Sequence, residues 1–208
     1  MLISIENVSK TIKKESILNN INIQIASGSC CGFTGHNGSG KSMLLKAICG
    51  FVPINTGNIT VNNIKIINGK NYIEHAGVLI EDPPFFNNFS GYENLNLLAK
   101  IQNKISHEDI LKSLEITGLL TAKDKKVKKY SLGMKQRLRI AQAIMENPNI
   151  LILDEPFNGL DKQGVLDIQQ IIMNLKKENK TILLTSHDER NIETLCDVVY
   201  ELERGNLL

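Results

Sequence analysis

The chain has 208 residues, of which 42% are hydrophobic and 22% are charged, so it holds enough apolar material for one domain with a full core. Its 24 basic and 22 acidic residues leave a formal charge of +2, which argues against a broad nucleic-acid-binding surface. The apolar runs are far shorter than the roughly 18 to 20 residues that span a bilayer, and no secretory signal opens the sequence. We therefore expect a soluble protein, or one that reaches a membrane through a partner.

The cysteines and one lysine-rich segment have plain interpretations. Cys30, Cys31, Cys49 and Cys196 lack the CxxC spacing of metal sites and are expected to be small core residues in a reducing compartment. Five lysines lie within residues 123–129, which is typical of a solvated face. A docking patch for acidic groups is the alternative.

Apolar and polar residues alternate in the first third of the chain, as they do in strands with one buried face. Strands are predicted over residues 1–8, 21–25, 57–61 and 64–67. These short segments favour an antiparallel sheet that lies beside the unit formed by residues 30–48.

Residues 30–48 combine an apolar strand, a glycine-rich loop and a segment with helical apolar spacing. Residues 35–42 read Gly-His-Asn-Gly-Ser-Gly-Lys-Ser. Backbone N–H groups must converge on phosphate oxygens in such a loop, and glycines permit so tight a turn. The pattern is that of a P-loop and predicts binding of a nucleoside triphosphate.

Each part of this loop has a predicted contact with the phosphates or the metal. The Lys41 ammonium is expected at the β- and γ-phosphates, the Ser42 hydroxyl at Mg²⁺, and the helix that begins there points its positive end at the anion. The predicted nucleotide-binding residues are Gly35, Asn37, Gly38, Ser39, Gly40, Lys41 and Ser42.

The rest of the chain alternates between helices and buried strands. A short strand at residues 77–80 is stopped by Pro83 and Pro84, and a helical insertion is predicted from residue 91 to about residue 129. Helices over about 132–147 and 162–178 then alternate with strands at 150–153 and 181–185. This order is typical of a parallel α/β sheet.

Two adjacent carboxylates, Asp154 and Glu155, follow the apolar strand at residues 150–153. Ligands bind at the carboxyl ends of strands in open α/β sheets. Asp154 suits a magnesium contact, and Glu155 suits the polarisation of an attacking water for hydrolysis.

Residues 130–137, Tyr-Ser-Leu-Gly-Met-Lys-Gln-Arg, resemble the signature sequence of ABC ATPases. Residues 157–161 are similar to the D-loop of that family, and His187 follows a predicted strand as its switch histidine does. The whole chain therefore resembles an ABC transporter ATP-binding subunit. The resemblance implies an α/β fold with a P-loop NTPase core, a flanking antiparallel β subdomain and an inserted helical subdomain. It implies one domain over residues 1–208, with the core and β subdomain at 1–90 and 140–208 and the helical subdomain at 91–139.

Two nucleotide-binding domains clasp ATP head to tail in this family. The resemblance therefore assigns Ser131 and Gly133 to the γ-phosphate held on the P-loop of a second subunit. It assigns His187 to a hydrogen bond with that phosphate and to the orientation of Glu155 and the water. The resemblance implies ATP and Mg²⁺ as cofactors. It implies two partners, a separately encoded transmembrane permease and a second ATP-binding subunit in a homodimer or heterodimer. The complex is expected at the cytoplasmic face of the membrane.

Glu81 departs from the family pattern, which has a glutamine after the strand predicted here at residues 77–80. The same change, and the Gly-Tyr-Glu-Asn-Leu sequence at residues 91–95, resemble transporters for bacitracin resistance and lantibiotic self-immunity. A third acid beside Asp154 and Glu155 attracts Mg²⁺ and repels the triphosphate. Glu81 is therefore predicted to contact the metal and to couple the site to the membrane partner, and an ordinary loop acid is the alternative.

Two further departures affect the base and the signature. Ile12 occupies the place where the family commonly stacks an aromatic ring on adenine, and a stack worth about 1–3 kcal/mol is lost. We therefore expect weak discrimination between ATP and GTP. Leu132 replaces a common signature glycine. This replacement is expected to preserve function but to loosen the closed dimer.

Phe85, Phe86 and Phe89 follow the two prolines and allow two interpretations. They seal the helical region to the core, or they line a groove for a short helix of the membrane subunit. The sequence leaves both open.

Together these motifs predict an ATP-hydrolysing subunit of an exporter for antimicrobial or amphipathic peptides or hydrophobic drugs. A catalytically impaired, nucleotide-sensing partner in a heterodimeric transporter is one alternative, because of Glu81 and Ile12. The other is a soluble ABC ATPase that acts on nucleic acid or ribosomes, for which the chain has neither a coiled-coil insertion nor a second cassette. No nucleic-acid partner is expected.

Overall fold

Two β-sheets organise the computed structural model, which describes residues 2–208. The described residues form ten strands and six α-helices. In chain order these are β1 (Ile3–Ile12), β2 (Glu15–Ile25), β3 (Cys30–Thr34), α1 (Lys41–Cys49), β4 (Thr56–Val61), β5 (Ile64–Lys65), β6 (Ala76–Leu79), α2 (Gly91–Gln102), α3 (His107–Ile116), α4 (Leu132–Ile144), β7 (Ile150–Leu153), α5 (Lys162–Lys177), β8 (Thr181–Thr185), α6 (Glu189–Leu195), β9 (Val198–Glu203) and β10 (Asn206–Leu207).

The larger sheet has six strands in the order β10-β9-β3-β8-β7-β6. All neighbours are parallel except β10, which pairs antiparallel with β9. The strands β3, β8 and β7 are adjacent, so the loops after their carboxyl ends lie at one edge of the sheet. The predicted parallel α/β core is confirmed, and its ligand-binding edge is the one that carries these loops.

The smaller sheet is antiparallel, in the order β2-β1-β4-β5. The strands predicted over residues 1–8 and 21–25 are parts of the longer β1 and β2, and Met1 lies outside the described residues. Bulges interrupt the pairing of β1 with β2, and Asn7 and Asn20 adopt φ values of 51° and 50°. The alternation of apolar and polar residues fails at these points, so the sequence pattern underestimated the length of both strands. Residues 64–67 were predicted as a strand, but the pairing ends at Lys65.

The helical insertion has a core of its own. Its helices α2 and α3 begin with capping boxes at Ser90 and Ser106, which satisfy the first backbone N–H groups of each helix. Leu95, Leu114 and Leu138 from α2, α3 and α4 are fully buried against one another in a single cluster. The helix α4 also packs on β6, so it connects this cluster to the parallel sheet.

The cysteines and the lysine-rich segment fit their plain interpretations. The four thiols are free, and burial raises the pKa of the Cys31 and Cys49 thiols to about 12, which keeps them protonated and unreactive. Within residues 123–129 the lysines flank the buried Val127 in sequence, and four of the five are exposed.

The sequence analysis missed α6, β9 and β10. The helix α6 has seven residues, too few for a clear apolar period, and Leu202 is the one buried residue of β9, whose other residues show no buried face. None of the helices within residues 2–208 has the length and apolar composition that a bilayer-spanning helix requires.

Candidate functional site

The glycine-rich loop between β3 and α1 lies at the carboxyl edge of the parallel sheet. Gly35 has a φ of 129°, and a Cβ atom there would lie 2.1 Å from the Leu202 carbonyl oxygen. Gly40 has a φ of 111°, and its Cβ would lie 2.8 Å from the Ile17 carbonyl oxygen. Both positions therefore require glycine, because the left-handed backbone and the nearby carbonyls exclude a side chain.

The Lys41 side chain folds back over this loop. Its Nζ donates to the carbonyl oxygens of Gly35 at 2.6 Å and His36 at 3.2 Å, and the residue is buried. These contacts hold the ammonium against the backbone of the loop. Ser42 follows in the first turn of α1 and is half-buried.

The chemistry of the loop fits a bound phosphate group. The N-cap of α1 is Gly40, so no side chain caps the helix, and its first turn carries no acidic residue. The buried Ser39 Oγ has no hydrogen-bond partner within residues 2–208. Asn37 and Gly38 are exposed at the tip. The uncapped helix end and the unpaired hydroxyl are the groups that an anion satisfies.

The two carboxylates follow β7 at the same edge. Asp154 is 8% exposed, and its Oδ1 accepts a hydrogen bond of 2.7 Å from the Thr185 hydroxyl at the end of β8. The Glu155 N–H donates to the same hydroxyl at 2.8 Å, and Glu155 has a φ of 50°. One buried hydroxyl therefore fixes both the Asp154 carboxylate and the strained turn that presents Glu155.

Thr185 was not singled out from the sequence, although its hydroxyl contacts both carboxylate-bearing residues of the site. It is fully buried and was predicted only as the last residue of a strand. One signal in the sequence could have identified Thr185, which lies two residues before His187 at the end of β8. Because β7 and β8 are parallel neighbours, a hydroxyl at the end of β8 lies close to the residues that follow β7.

The structure brings His187 to Glu155. The His187 Nδ1 lies 2.9 Å from Glu155 Oε2, and the His187 N–H donates to the same oxygen at 3.3 Å. The Glu155 side chain is 19% exposed and the His187 side chain 63% exposed, so the pair reaches solvent through the histidine. Beside it, hydrogen bonds from Arg190 lower the pKa of the Asp188 carboxyl, which caps α6.

Glu81 lies in the loop after β6 and pairs with Lys46 on α1, an ion pair in which the Glu81 side chain is 69% exposed. Among the described residues no three acidic, histidine or cysteine side chains converge in a way that would hold a metal ion. The predicted contact of Glu81 with the metal stays a prediction.

The signature residues Ser131 and Gly133 lie at the start of α4. The Ser131 hydroxyl accepts a hydrogen bond of 3.2 Å from the Met134 N–H and so caps this helix. In the part of the chain that the structure describes, no hydrogen bond joins either residue to the P-loop. The site of one chain therefore has its phosphate loop and its carboxylates in place, with the signature apart from them.

Leu132 covers the D-loop of its own chain. A Cβ atom on Gly159 would lie 2.3 Å from Leu132 Cδ2, so the leucine rests directly on the glycine backbone. Asp161 at the end of this loop caps α5, with its Oδ1 accepting from the Gly164 N–H at 2.8 Å. The larger signature residue thus links the start of α4 to the loop that follows Glu155.

Ile12 ends β1 at the tip of the long hairpin and is 39% exposed. It pairs with Glu15, and the intervening Lys13 and Lys14 both have positive φ values. The four residues of this tip offer no aromatic face to a nucleotide base.

A strand, glycine loop and helix joined to an acidic strand end and a histidine define a P-loop nucleoside triphosphatase. The family model described as ABC transporter matches residues 18–158, more than half of the chain. The chain therefore belongs to the ABC transporter family, as an ATP-binding cassette and an ATPase.

Curated relatives match along nearly all of this chain. It is 40% identical to an uncharacterized ABC transporter ATP-binding protein, YybJ, of Bacillus subtilis, over 99% of this chain and 94% of that protein. It is 38% identical to the bacitracin transport ATP-binding protein BcrA of Enterococcus faecalis, over 100% of this chain and 68% of the relative. It is 36% identical to the lantibiotic transport ATP-binding protein SrtF of Streptococcus pyogenes, over 100% and 89%.

Among solved structures, the dimeric ATP-binding cassette MJ0796 in a post-hydrolysis state with ADP and phosphate has the same fold. Its TM-score is 0.90 at 24% identity, over 99% of this chain and 96% of that one. The expected fold class is confirmed by this match.

We predict that Thr185→Val lowers the rate of ATP hydrolysis by about tenfold, equivalent to about 1.4 kcal/mol. Valine fills the same volume but leaves Asp154 and the Glu155 N–H without a partner. Steady-state turnover of the purified chain measures this. Thr185→Ser keeps the hydroxyl and is expected to retain most of the rate. A valine variant as fast as the wild type would show that the hydroxyl does not position the carboxylates.

We predict that GTP competes with ATP nearly evenly in the wild type and that Ile12→Tyr tightens the binding of both nucleotides. A base–aromatic stack adds about 1–3 kcal/mol, so an increase in affinity of about fivefold or more is expected. Equilibrium competition with a fluorescent nucleotide measures it, and Ile12→Val is the control without a ring. A strong preference of the wild type for ATP would contradict the prediction and would mean that another group reads the base.

Proposed function

We propose that this chain is the ATP-hydrolysing subunit of an exporter for antimicrobial or amphipathic peptides or hydrophobic drugs, bound to its permease at the cytoplasmic face of the membrane. The observation that carries the proposal is the similarity, over the whole chain, to relatives named for bacitracin transport and lantibiotic transport. The glutamate at position 81 supports it, because the sequence resemblance to that group rests on this residue.

The residues of the site divide the work of hydrolysis. The P-loop and Lys41 bind the phosphates of ATP, and Ser42 and Asp154 would hold Mg²⁺, which neutralises phosphate charge when bound. Glu155 accepts a hydrogen bond from the attacking water and polarises it. His187 touches Glu155 in the structure and keeps the carboxylate oriented while its own ring reaches towards solvent, where the γ-phosphate would lie.

A second subunit would complete the site. Within residues 2–208 no hydrogen bond joins Ser131 or Gly133 to the phosphate loop, yet the N-terminus of α4 behind them is suited to an anion. The dimeric structure of the MJ0796 cassette supports a pair of subunits here, which the family resemblance arranges head to tail. We infer that the cassette is one domain whose helical part, residues 91–139, presents the signature to the partner.

The exposed aromatic pair Phe86 and Phe89 would dock the permease. Their ring centroids lie 5.5 Å apart, and the side chains are 65% and 40% exposed. The buried Asn94 side chain fixes the loop, because its amide binds both the N–H and the carbonyl of Phe86, at 2.8 and 3.2 Å. Phe85 packs into the helical cluster instead. One phenylalanine thus seals the helical region while two are presented to a partner.

Loss of peptide resistance tests the proposal. Cells lacking this chain are expected to become more sensitive to antimicrobial peptides or hydrophobic drugs, and the wild-type chain is expected to restore growth. Glu155→Gln should bind ATP but fail to restore growth, whereas the exposed Glu146→Gln, the same change elsewhere, should restore it. Tagged wild type should co-purify with a polytopic membrane protein that Phe86→Ser loses and Phe51→Ser keeps.

Two outcomes would contradict the proposal. Unchanged sensitivity to every peptide and drug, with ATP turnover intact, would exclude this cargo class. Tight ATP binding without turnover in the wild type would favour the nucleotide-sensing partner of a heterodimer.

Glu81→Gln tests the coupling role of this residue. Removing the carboxylate also removes the ion pair with Lys46, so we expect a higher Mg²⁺ concentration for half-maximal turnover and weaker stimulation of turnover by the permease. Turnover of the chain with and without its permease, measured across magnesium concentrations, provides both quantities. If rate, magnesium dependence and transport all stay at wild-type values, Glu81 is an ordinary loop acid.

A further inference from the structure

Two ion pairs hold the loop that joins β6 to α2. Glu81 pairs with Lys46 on the P-loop helix α1, and the Asp82 Oδ1 lies 3.0 Å from the Nη1 of Arg139 on the signature helix α4. Neighbouring loop residues are thus attached to two different helices. The loop is therefore tied both to the nucleotide-binding core and to the helix that begins at the signature.

Arg139 differs from ordinary surface arginines because its side chain is only 11% exposed, whereas that of Asp82 is 79% exposed. Its Nε is buried and has no hydrogen-bond partner within residues 2–208, and Asp82 is the one carboxylate paired with it there. Exposed ion pairs contribute little, but a buried charge that loses its partner is strongly unfavourable. Because the buried guanidinium of Arg139 requires a negative partner, the ion pair holds the exposed Asp82 in place.

The same guanidinium connects to the turn that carries Glu155. The Arg139 Nη1 donates to the Gln136 Oε1 at 2.9 Å, and the Gln136 Nε2 donates to the Pro156 carbonyl oxygen at 3.0 Å. Gln136 is 3% exposed, so water does not compete for these bonds. Pro156 directly follows Glu155 in the chain. An unbroken series of polar contacts thus runs from the loop after β6, through α4, to the backbone beside Glu155.

We propose that Arg139 is a positioning residue for ATP hydrolysis, which holds the Glu81–Asp82 loop and the Glu155 turn in register through Asp82 and Gln136. A shift of the loop would pull on Arg139 and move the turn that presents Glu155, since all the contacts between them are short and those of Gln136 are buried. This deepens the proposed function, because it names the route between the loop that would face the permease and the hydrolytic carboxylate. It rests on ATP hydrolysis by this chain and is independent of the cargo.

The test is a double-mutant cycle in the full-length chain with Arg139→Gln, Asp82→Asn and the double variant. Each single variant is expected to lower kcat about fivefold, while KM for ATP stays within about twofold because the P-loop is untouched. The double variant is expected to be no slower than the slower single variant, since both changes break one link. Asp82→Glu keeps the carboxylate and is expected to recover at least half of the wild-type kcat.

Amide hydrogen exchange gives a reading that needs no turnover. In the nucleotide-free protein, Asp82→Asn is expected to speed exchange at residues 81–89 and at residues 155–158 together, although the latter are not neighbours of the substitution. Lys176→Gln is the control, because it breaks an ion pair of 2.6 Å with Asp197 elsewhere in the fold. It should leave kcat and exchange in both segments unchanged.

Several results would overturn the proposal. They are a folded Arg139→Gln with wild-type kcat, single-variant losses that multiply in the double variant, and faster exchange confined to residues 81–89. Asp82→Asn changes an exposed residue and is expected to fold even if Arg139→Gln does not. Its kcat and its amide exchange then still test the proposal. Wild-type protein that binds but does not hydrolyse ATP would count against the proposed function, and the exchange experiment would still decide the role of Arg139.

Discussion

Parallel hydrogen bonding among β3, β8 and β7 is the constraint on which the site depends. The register pairs Phe33 with Thr185 and Leu153 with Leu184, so the loops that leave these strands start at the same height. The P-loop, the Asp154–Glu155 pair and His187 come from distant parts of the sequence and lie at one edge of the sheet because of this register. The strands are buried, as a sheet covered on both faces requires, so a slip in register would cost both the core and the site.

The motifs and the alternation of helices and strands were predictable because their signals are local. A P-loop needs glycines where the backbone is left-handed, and two acids after an apolar strand mark a strand end in an α/β sheet. The remaining features depend on tertiary contacts. Thr185 acquires its role from the neighbouring strand, Arg139 from a loop more than fifty residues earlier, and Leu132 from the glycine it covers. Local pattern cannot show such contacts, and the bulges in β1 hide its length for the same reason.

The site also shows which parts of nucleotide binding are built into one chain. The uncapped end of α1, the folded-back Lys41 and the unpaired Ser39 hydroxyl all favour an anion. The hairpin tip at Ile12 offers the base only an aliphatic surface. We therefore expect recognition in this chain to be directed to the phosphates, with little contribution from the base. Such a division suits a cassette whose closure responds to the γ-phosphate, which is the group that hydrolysis removes.

Leu132 shows how a departure from the family pattern changes what the fold connects. A glycine there would leave the D-loop glycine uncovered, but the leucine packs on Gly159 and ties the start of α4 to the loop after Glu155. Gln136, one turn further along the same helix, donates to the Pro156 carbonyl directly before that loop. The turn that presents Glu155 is thus held twice by α4, once by apolar packing and once by a buried hydrogen bond. A helix attached in this way cannot rotate against the core without moving the Glu155 turn, so the positions of the signature and of the Glu155 carboxylate are set together.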